Sequence, residues 1–232
     1  MAKKVNKTEE QLANVEENLS KAALYVEKNQ SNITKIIFGV VIIIGLFIGY
    51  NTYIINPKEK EASSEMFIAE FYLQNDDYKK ALNGDGQYPG FLEISEKYSS
   101  TKAGNLANYY SAICLLRLGS PDSNQYFERA LDLLNDFSTN DKIIHCLSKG
   151  LIGDANHELG NLEEALKYYI IAATDFENKF TTPYFLMKQA FIFEKNNDFT
   201  SALKIYNTIK KDYPKSKEGV SIDKYISSIS NR

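Results

Sequence analysis

The amino-acid sequence predicts an all-α protein, with a single N-terminal transmembrane helix followed by an α-solenoid of stacked helix pairs. Three observations lead to this prediction. An uncharged apolar run occupies positions 36–55. Beyond it, pairs of helical segments recur with matching small and aromatic residues. No stretch shows the apolar–polar alternation of a half-buried strand.

The apolar run, IIFGVVIIIGLFIGYNTYII, has twenty residues and spans about 30 Å as a helix, the thickness of a bilayer's hydrocarbon core. A cleaved signal peptide is a poor alternative, because 35 residues precede the run and no small-residue cleavage motif follows it. A buried core helix is also a poor alternative, because the run has no polar face before Asn51. We predict a tail at 1–35 with an amphipathic helix, a transmembrane helix at 36–55 and a repeat domain at 56–232.

Lysines near the run indicate its orientation. Lys21, Lys28 and Lys35 lie before it, and Lys58 and Lys60 lie after it. Because positive residues stay preferentially on the cytoplasmic side of a membrane, this small bias predicts a cytoplasmic N-terminus. The chain is then expected to be a single-pass protein of the inner (cytoplasmic) membrane, with its C-terminal domain in the periplasm.

Two glycines inside the run, Gly45 and Gly49, have the Gly-x-x-x-Gly spacing that lets two membrane helices approach closely. One interpretation is a packing face for a partner helix or for a second copy of the chain. The other is that glycine is frequent in membrane helices in general. The sequence leaves both interpretations open.

The tail carries a narrow apolar stripe at alternating steps of three and four residues, formed by Leu12, Val15, Leu19, Ala22 and Val26. The polar segment NQSN at 29–32 is expected to break this helix before the membrane. A stripe this narrow fits a short coiled-coil contact, including one between two copies of the chain, or a helix that lies on the membrane. Because the stripe spans only about two heptads, a marginal helix without a partner is the third interpretation.

Beyond residue 57, the segments 151–172 and 189–206 align as two helix pairs with an offset of 37 residues. Each pair has a small residue in its first helix, then a residue suited to a left-handed turn. A second small residue follows where the helices cross, and an aromatic residue comes one turn later. The aligned residues are Gly153 and Ala190, Gly160 and Asn197, Ala165 and Ala202, and Tyr169 and Tyr206. This pattern resembles the tetratricopeptide repeat, a helix pair with a period of about 34 residues.

Two weaker copies precede these pairs. The first runs over 68–82, and an NGDG turn interrupts its second helix; the other pairs 106–118 with 122–134. An apolar stripe of isoleucines at 222–229 gives a last helix one face that can cover the end of the stack. The sequence therefore predicts about four tetratricopeptide-like helix pairs plus a C-terminal capping helix.

No segment carries a catalytic, cofactor-binding or metal-binding signature. Gly84 and Gly86 lack the third glycine and the preceding strand of a dinucleotide-binding loop, which leaves a turn inside the first pair. The two histidines, His145 and His157, lack the i, i+4 spacing of a metal site, and no Cys-x-x-Cys occurs. We therefore expect no enzymatic activity, no cofactor and no metal.

Charge and cysteine content narrow the possible partners and the redox chemistry. The chain has 27 basic and 30 acidic residues, a net charge of −3, and neither half is basic enough to suggest nucleic-acid binding.

In an oxidising compartment Cys114 and Cys146 could pair. Both fall in apolar helical stretches, which favours two separate buried thiols.

Protein binding is the function that such a repeat supports, because the first helices of stacked pairs line a concave groove. Aromatic and methionine side chains in that groove suit apolar segments of a client protein. The positions predicted to face the groove are Met66, Glu70, Tyr109, Ile113, Asp154, His157, Tyr184, Met187, Phe191 and Glu194. The alternative for each is packing against the neighbouring repeat.

The order of the parts resembles a more specific family. The segments ALNGDG at 81–86, TKAGNLANYY at 101–110 and YPKS at 213–216 are similar to the ancillary SecYEG translocon subunit family (YfgM-like), Bacteroidota type, over about residues 10–230. The resemblance implies a protein that sits beside the export channel and passes emerging proteins to periplasmic folding factors. The function expected is a membrane-anchored protein–protein interaction scaffold or chaperone-like helper near the Sec protein-export channel. The alternative is a structural subunit of an envelope or outer-membrane assembly complex.

Overall fold

The computed structural model of the chain describes residues 2–120, 122 and 124–230, with side chains from residue 11 onward in those ranges. It contains two compact units, Met1–Pro57 and Lys58–Arg232. A π-helical segment, Asn51–Ile55, follows the first helix. The α-helices are α1 (Ala2–Tyr50), α2 (Asn56–Gln74), α3 (Tyr78–Asn83), α4 (Phe91–Lys97), α5 (Lys102–Leu118), α6 (Asn124–Asp136), α7 (Lys142–Glu158), α8 (Leu162–Thr174), α9 (Thr181–Lys195), α10 (Phe199–Asp212) and α11 (Lys217–Ile229). No strand occurs among the described residues, and the predicted all-α fold is confirmed.

Helix α1 runs unbroken from Ala2 to Tyr50, so the break predicted at 29–32 is wrong. Asn29 stays helical, and its side-chain amide donates to the Tyr25 carbonyl oxygen one turn back at 2.9 Å. The polar segment contains neither glycine nor proline, and its residues cost at most about 0.7 kcal/mol each in helix propensity. The segment therefore leaves the helix intact.

One helix among the described residues is long and apolar enough to cross a membrane, with a mean hydropathy of 2.3 over its most apolar window. The run predicted at 36–55 covers the end of α1 and the π-helical segment. Asn51 turns its side-chain amide back to the Phe47 carbonyl oxygen at 2.9 Å, so this polar group is satisfied within its own helix. At Gly45 and Gly49 a Cβ would meet open space, and their packing role stays a prediction.

The second unit is a row of helix pairs, whose first members we call A helices (α2, α5, α7 and α9). Helix α5 packs on α6, α7 on α8 and α9 on α10, and α11 packs on α9 and α10. In the first pair, buried residues of α2 share one apolar core with α3 and α4, which replace a single second helix. Gly84, between α3 and α4, has φ +83°, and a Cβ there would lie 2.4 Å from the Tyr88 carbonyl oxygen. Only glycine fits this turn, which confirms the turn predicted inside the first pair.

Three A helices end in a residue with left-handed backbone. Gly160 after α7 has φ +80° and Asn197 after α9 has φ +60°, as the aligned sequences predict. Asp76 after α2 takes the same conformation at φ +58°. Asp77 and Asp198, each one residue further on, cap the next helix by accepting backbone N–H groups of α3 and α10. Each of these turns therefore ends one helix and starts the next within a few residues.

The small residues of the repeat allow the close helix contacts predicted for them. Ala165 and Ala202 are completely buried where the second helix of each pair crosses the first. A Cβ at Gly153 would lie 2.5 Å from the Tyr169 ring, so this glycine makes room for the ring against α7. Tyr169 and Tyr206 are both buried.

A capping motif that the sequence analysis missed begins two helices 115 residues apart. Thr101 before α5 and Ser216 before α11 accept the backbone N–H groups of Gly104 and Gly219, respectively. Both hydroxyls also donate to the carbonyl of a buried tyrosine three residues earlier, at 2.7 and 3.0 Å. A Cβ at either glycine would lie 2.0 Å from that same carbonyl oxygen. The motif Tyr-x-x-Ser/Thr-x-x-Gly therefore requires glycine for close backbone packing.

The two cysteines are free and buried in the structure. Burial raises the pKa of the Cys114 thiol to about 12, which keeps it protonated and unreactive at neutral pH. Cys146 lies on α7, and its sulfur is 3.8 Å from the Phe176 carbonyl oxygen. This agrees with the buried-thiol interpretation rather than with a disulfide.

Candidate functional site

The side of the repeat unit formed by its A helices carries two cavities that share Tyr184 and Lys188. The larger, of about 380 Å³, lies among α5, α7 and α9, with Tyr169 of α8 at its base. The smaller, of about 240 Å³, lies between α9 and α11. We call this continuous surface the A-helix groove. Its lining residues are Ile113, Leu116, Arg117, Leu151, Asp154, His157, Glu158, Tyr169, Tyr184, Met187, Lys188, Phe191, Lys217, Glu218, Ser221 and Tyr225.

A polar cluster of three residues lies in the larger cavity, and we call it the polar triad. Oδ1 of Asp154 accepts a hydrogen bond from the Tyr169 hydroxyl and one from the Lys188 ammonium, each at 2.7 Å. The Lys188 ammonium also lies 5.5 Å from the centre of the Tyr169 ring and 5.3 Å from that of Tyr184, which allows cation–π contact with both. Lys188 is thereby held in one place, with its charge half-buried in the groove.

The polar triad changes the proton affinities of its members. Burial lowers the pKa of Lys188, but Asp154 and Tyr184 together raise it by more, so the net shift is upward. Burial, followed by the Asp154 carboxylate, raises the pKa of Tyr169. The triad therefore contains an ammonium and a phenol that both stay protonated well above neutral pH.

An aromatic cluster of three residues lies by the smaller cavity, and we call it the aromatic triad. The Tyr225 ring of α11 packs against Phe191 of α9 at 5.7 Å and against Tyr206 of α10 at 5.8 Å, between ring centres. The buried Tyr206 hydroxyl donates to Glu194, and burial together with that carboxylate raises the pKa of Tyr206. Phe191 remains 43% exposed and Tyr184, at the other edge of the cavity, 41% exposed. Two large aromatic faces therefore border this cavity and remain in contact with solvent.

The two triads occupy the same places in consecutive repeats. Each residue of the polar triad lies 37 positions before its counterpart in the aromatic triad: Asp154 before Phe191, Tyr169 before Tyr206 and Lys188 before Tyr225. The groove is therefore charged at the third repeat and aromatic at the fourth, on one backbone plan.

The structure places six of the ten predicted groove positions around these cavities. Ile113, Asp154 and His157 line the larger cavity, Met187 and Phe191 line the smaller, and Tyr184 lines both. Nothing tests their part in binding, which stays a prediction.

The other four predicted positions lie outside the two cavities. Met66 is buried in the first core, and Tyr109 is buried against Phe137, with ring centres 5.2 Å apart. Glu70 is partly buried, and this burial raises its pKa. Glu194 accepts the Tyr206 hydroxyl. Met66 and Tyr109 therefore pack against neighbouring side chains, whereas a part of Glu70 and Glu194 in binding stays a prediction.

The sequence analysis missed three residues that shape the groove: Arg117, Lys188 and Tyr225. A usable signal was present, because Lys188 and Tyr225 are 37 positions apart and therefore equivalent in the repeat. Both residues lie beyond the aligned segments 151–172 and 189–206, in the helix that follows each pair and supplies the third member of each triad.

The two histidines each lie beside an acidic side chain. His145 Nε2 lies 2.9 Å from Asp175 Oδ2, and its ring packs edge-on against Phe176. His157 lies on the groove, where its Nδ1 is 3.8 Å from Glu158. Within the described part of the chain, no three His, Cys, Asp or Glu side chains are grouped so that they can hold a metal ion.

Comparison with known protein families identifies a repeat within the second unit. The family model for the tetratricopeptide repeat matches residues 184–216, which span most of α9, all of α10 and the turn before α11. The chain therefore contains a tetratricopeptide repeat, a module that generally mediates protein–protein binding without catalysis. Searches of curated proteins and of solved structures found no match to the chain.

Proposed function

We propose that this chain is a membrane-anchored protein-interaction scaffold that binds protein segments in its A-helix groove. The observation that carries the proposal is the cavity between α9, which belongs to the matched repeat, and α11, with the exposed rings of Tyr184 and Phe191 at its edges. Partly exposed aromatic residues around a preformed cavity supply large contact area at little cost in conformational entropy.

The chemistry of the groove favours a client segment with both apolar and polar residues. Phe191 and Tyr225 offer an apolar surface for one side chain, and the buried Met187 also lines the cavity. The neighbouring Lys188 is already paired with Asp154, so it offers a fixed polar edge rather than an unpaired charge. A client then buries apolar area at the fourth repeat and makes hydrogen bonds at the third.

We further propose that the scaffold works beside the Sec protein-export channel and passes emerging proteins to folding factors. Two features support this: the resemblance to ancillary translocon subunits, and the lysine bias that predicts a cytoplasmic N-terminus. In this arrangement the apolar helix holds the chain in the inner membrane, and the repeat unit faces the periplasm.

Site-specific photocrosslinking in native membranes tests the groove. A photoreactive phenylalanine analogue replaces Phe191 in one variant and Phe180 in the other; Phe180 is 83% exposed but lies outside both cavities. Adducts with protein segments are expected from position 191 and not from position 180. Equal yields from the two positions would contradict binding in the groove.

The identity of the adducts tests the location. Export-channel subunits or exported proteins in transit are expected among the partners captured at position 191. Their absence from a crosslinked membrane preparation would rule out the Sec assignment. A single fixed partner that stays in stoichiometric complex after mild detergent extraction would instead favour a structural subunit of an envelope assembly.

A further inference from the structure

The unbroken course of α1 joins two apolar stripes that a break at 29–32 would separate. The tail stripe, Leu12 to Val26, advances by alternating steps of three and four residues. The same steps continue through Asn29 to Ile33, Ile36, Val40 and Ile43. We call this row the seam; it repeats every seven residues over more than four heptads, the spacing of a coiled coil.

The seam has no partner within the described part of the chain. Leu12, Val15, Leu19 and Val26 are each more than half exposed. Within the first unit, the described residues of α1 contact the π-helical segment that follows the helix. A helix that exposes a regular apolar row in water is marginal without something to cover that row.

We propose that the seam is covered by the seam of a second copy, so that two chains pair in parallel through their tails. In two copies anchored by the same apolar helix, the two tails begin at the same depth relative to the membrane and run in the same direction. Identical residues then meet at each level, and the apolar rows match without any shift in register. This pairing does not depend on what the A-helix groove binds.

The charges beside the seam allow this self-pairing. In a parallel coiled coil, the positions that flank the apolar row approach the partner chain. Between residues 11 and 30 these are Gln11, Glu16, Asn18, Ala23, Tyr25 and Gln30, of which only Glu16 is charged. In the paired form Glu16 meets Gln11 of the second copy, so no like charges are brought together. An oppositely charged foreign helix would find no complementary row here.

The width of the seam also argues against a tail that lies on the membrane. A helix in the membrane interface needs a broad apolar face. Over residues 15–19 the seam is flanked by Glu16 and Asn18, and Glu17 and Lys21 on the outer side form an ion pair at 2.7 Å. That narrow geometry suits a second helix rather than a lipid surface.

Pairing through the seam excludes simultaneous pairing through the Gly45/Gly49 face, the other surface that the sequence predicts for self-association. At about 100° per residue, Gly45 and Gly49 lie on the opposite side of α1 from Val40 and Ile43 of the seam. One two-helix contact cannot use both sides. Pairing through the seam therefore leaves the Gly45/Gly49 face pointing away from the second copy.

Cysteine crosslinking of the full chain in membranes tests the proposal. Leu12→Cys and Val26→Cys each place a thiol on the seam near one end of the tail. Glu17→Cys places a thiol on the outer face of the helix, and Gly49→Cys tests for pairing through the Gly45/Gly49 face. The unsubstituted chain is the background control, since Cys114 and Cys146 are buried. After oxidation with copper phenanthroline, disulfide-linked dimer is scored on non-reducing gels.

Both seam variants are expected to give at least tenfold more dimer than Glu17→Cys, because only facing positions bring two Cα atoms within disulfide distance. Dimer from Gly49→Cys in place of the seam variants would overturn the proposal in favour of the glycine face. Absence of dimer from all variants, or equal yields on and off the seam, would also overturn it. Photocrosslinking at Phe191 tests binding by the repeat unit and does not depend on pairing of the tails. The groove proposal and the pairing proposal can therefore be contradicted independently.

Discussion

The third and fourth helix pairs share one backbone plan but use opposite chemistry to join the helix that follows. In the third, Asp154, Tyr169 and Lys188 form a hydrogen-bonded ion pair; in the fourth, the equivalent residues form an aromatic cluster. The crossing alanine, the left-handed turn and the buried tyrosine are the same in both. The same repeat frame therefore accommodates an ion pair in one repeat and an aromatic pair in the next, and these residues set the chemistry of the groove surface.

The two triads differ in how much they depend on a single partner. The Lys188 and Asp154 side chains are each 27% exposed, so each has lost part of its hydration. The attraction between the two opposite charges offsets this desolvation cost. An aromatic pair contributes about 0.5–1.5 kcal/mol and leaves no unmatched charge when one ring is removed. We expect the polar triad to be the more sensitive of the two to single substitutions.

The largest effect is expected from Asp154→Asn. It leaves the Lys188 ammonium half-buried without its counter-ion and lowers the free energy of unfolding by about 2–3 kcal/mol, below the range for a fully buried pair. Phe191→Leu, at the equivalent position, keeps an apolar contact and costs less than about 1 kcal/mol. Urea unfolding of the detergent-solubilised chain, followed by circular dichroism, measures both. Equal losses would show that the two triads contribute alike.

Exchanging the small residues of the two repeats tests the shared frame. Gly153→Ala drives a Cβ into the Tyr169 ring, and this overpacking is only partly offset by better helix propensity, for a net loss of about 1–2 kcal/mol. Ala190→Gly loses propensity and a buried methyl group, also about 1–2 kcal/mol. The same unfolding assay applies. A stabilised Gly153→Ala variant would mean that Tyr169 can move aside.

At neutral pH the smallest effect is expected from the two buried phenols, because their contribution to stability changes only at alkaline pH. Tyr169 and Tyr206 have raised pKa values in the folded chain, so their contribution to stability is fully present below pH ~10 and is lost as pH rises through the raised values. Each contributes a loss of up to about 1.4 kcal/mol per pH unit in that window. Tyr169→Phe and Tyr206→Phe should each flatten the decline of unfolding free energy above pH 10. An unchanged slope in either variant would contradict the burial of that phenol.

Much of the repeat frame could be predicted because its rules are local. A left-handed turn after a helix calls for Gly160 or Asn197, and a close crossing calls for Ala165 or Ala202, whatever lies elsewhere in the chain. The expected break at 29–32 was wrong for a related reason. The polar segment weakens helix formation by tenths of a kcal/mol per residue, which is too little to end a helix extended on both sides.

The groove was only partly predictable. Met66 and Tyr109 have the helical phase of groove residues, yet neighbouring side chains cover them. Lys188 was missed because its importance comes from Asp154, which lies 34 positions earlier on another helix. Side chains that meet across a repeat boundary leave no local pattern in either helix.

The sequence by itself determined the fold class, the apolar segment, the 37-residue offset and the turns, since each follows from propensity, hydropathy or steric need within a few residues. The tertiary structure alone decided which side chains of α7, α9 and α11 converge, and which of the ten predicted positions reach the surface. It also decided that the tail stripe and the membrane segment belong to one helix. The physical reason is that convergence depends on how successive helix pairs are rotated against each other, and on the cooperative extension of a helix across weak residues.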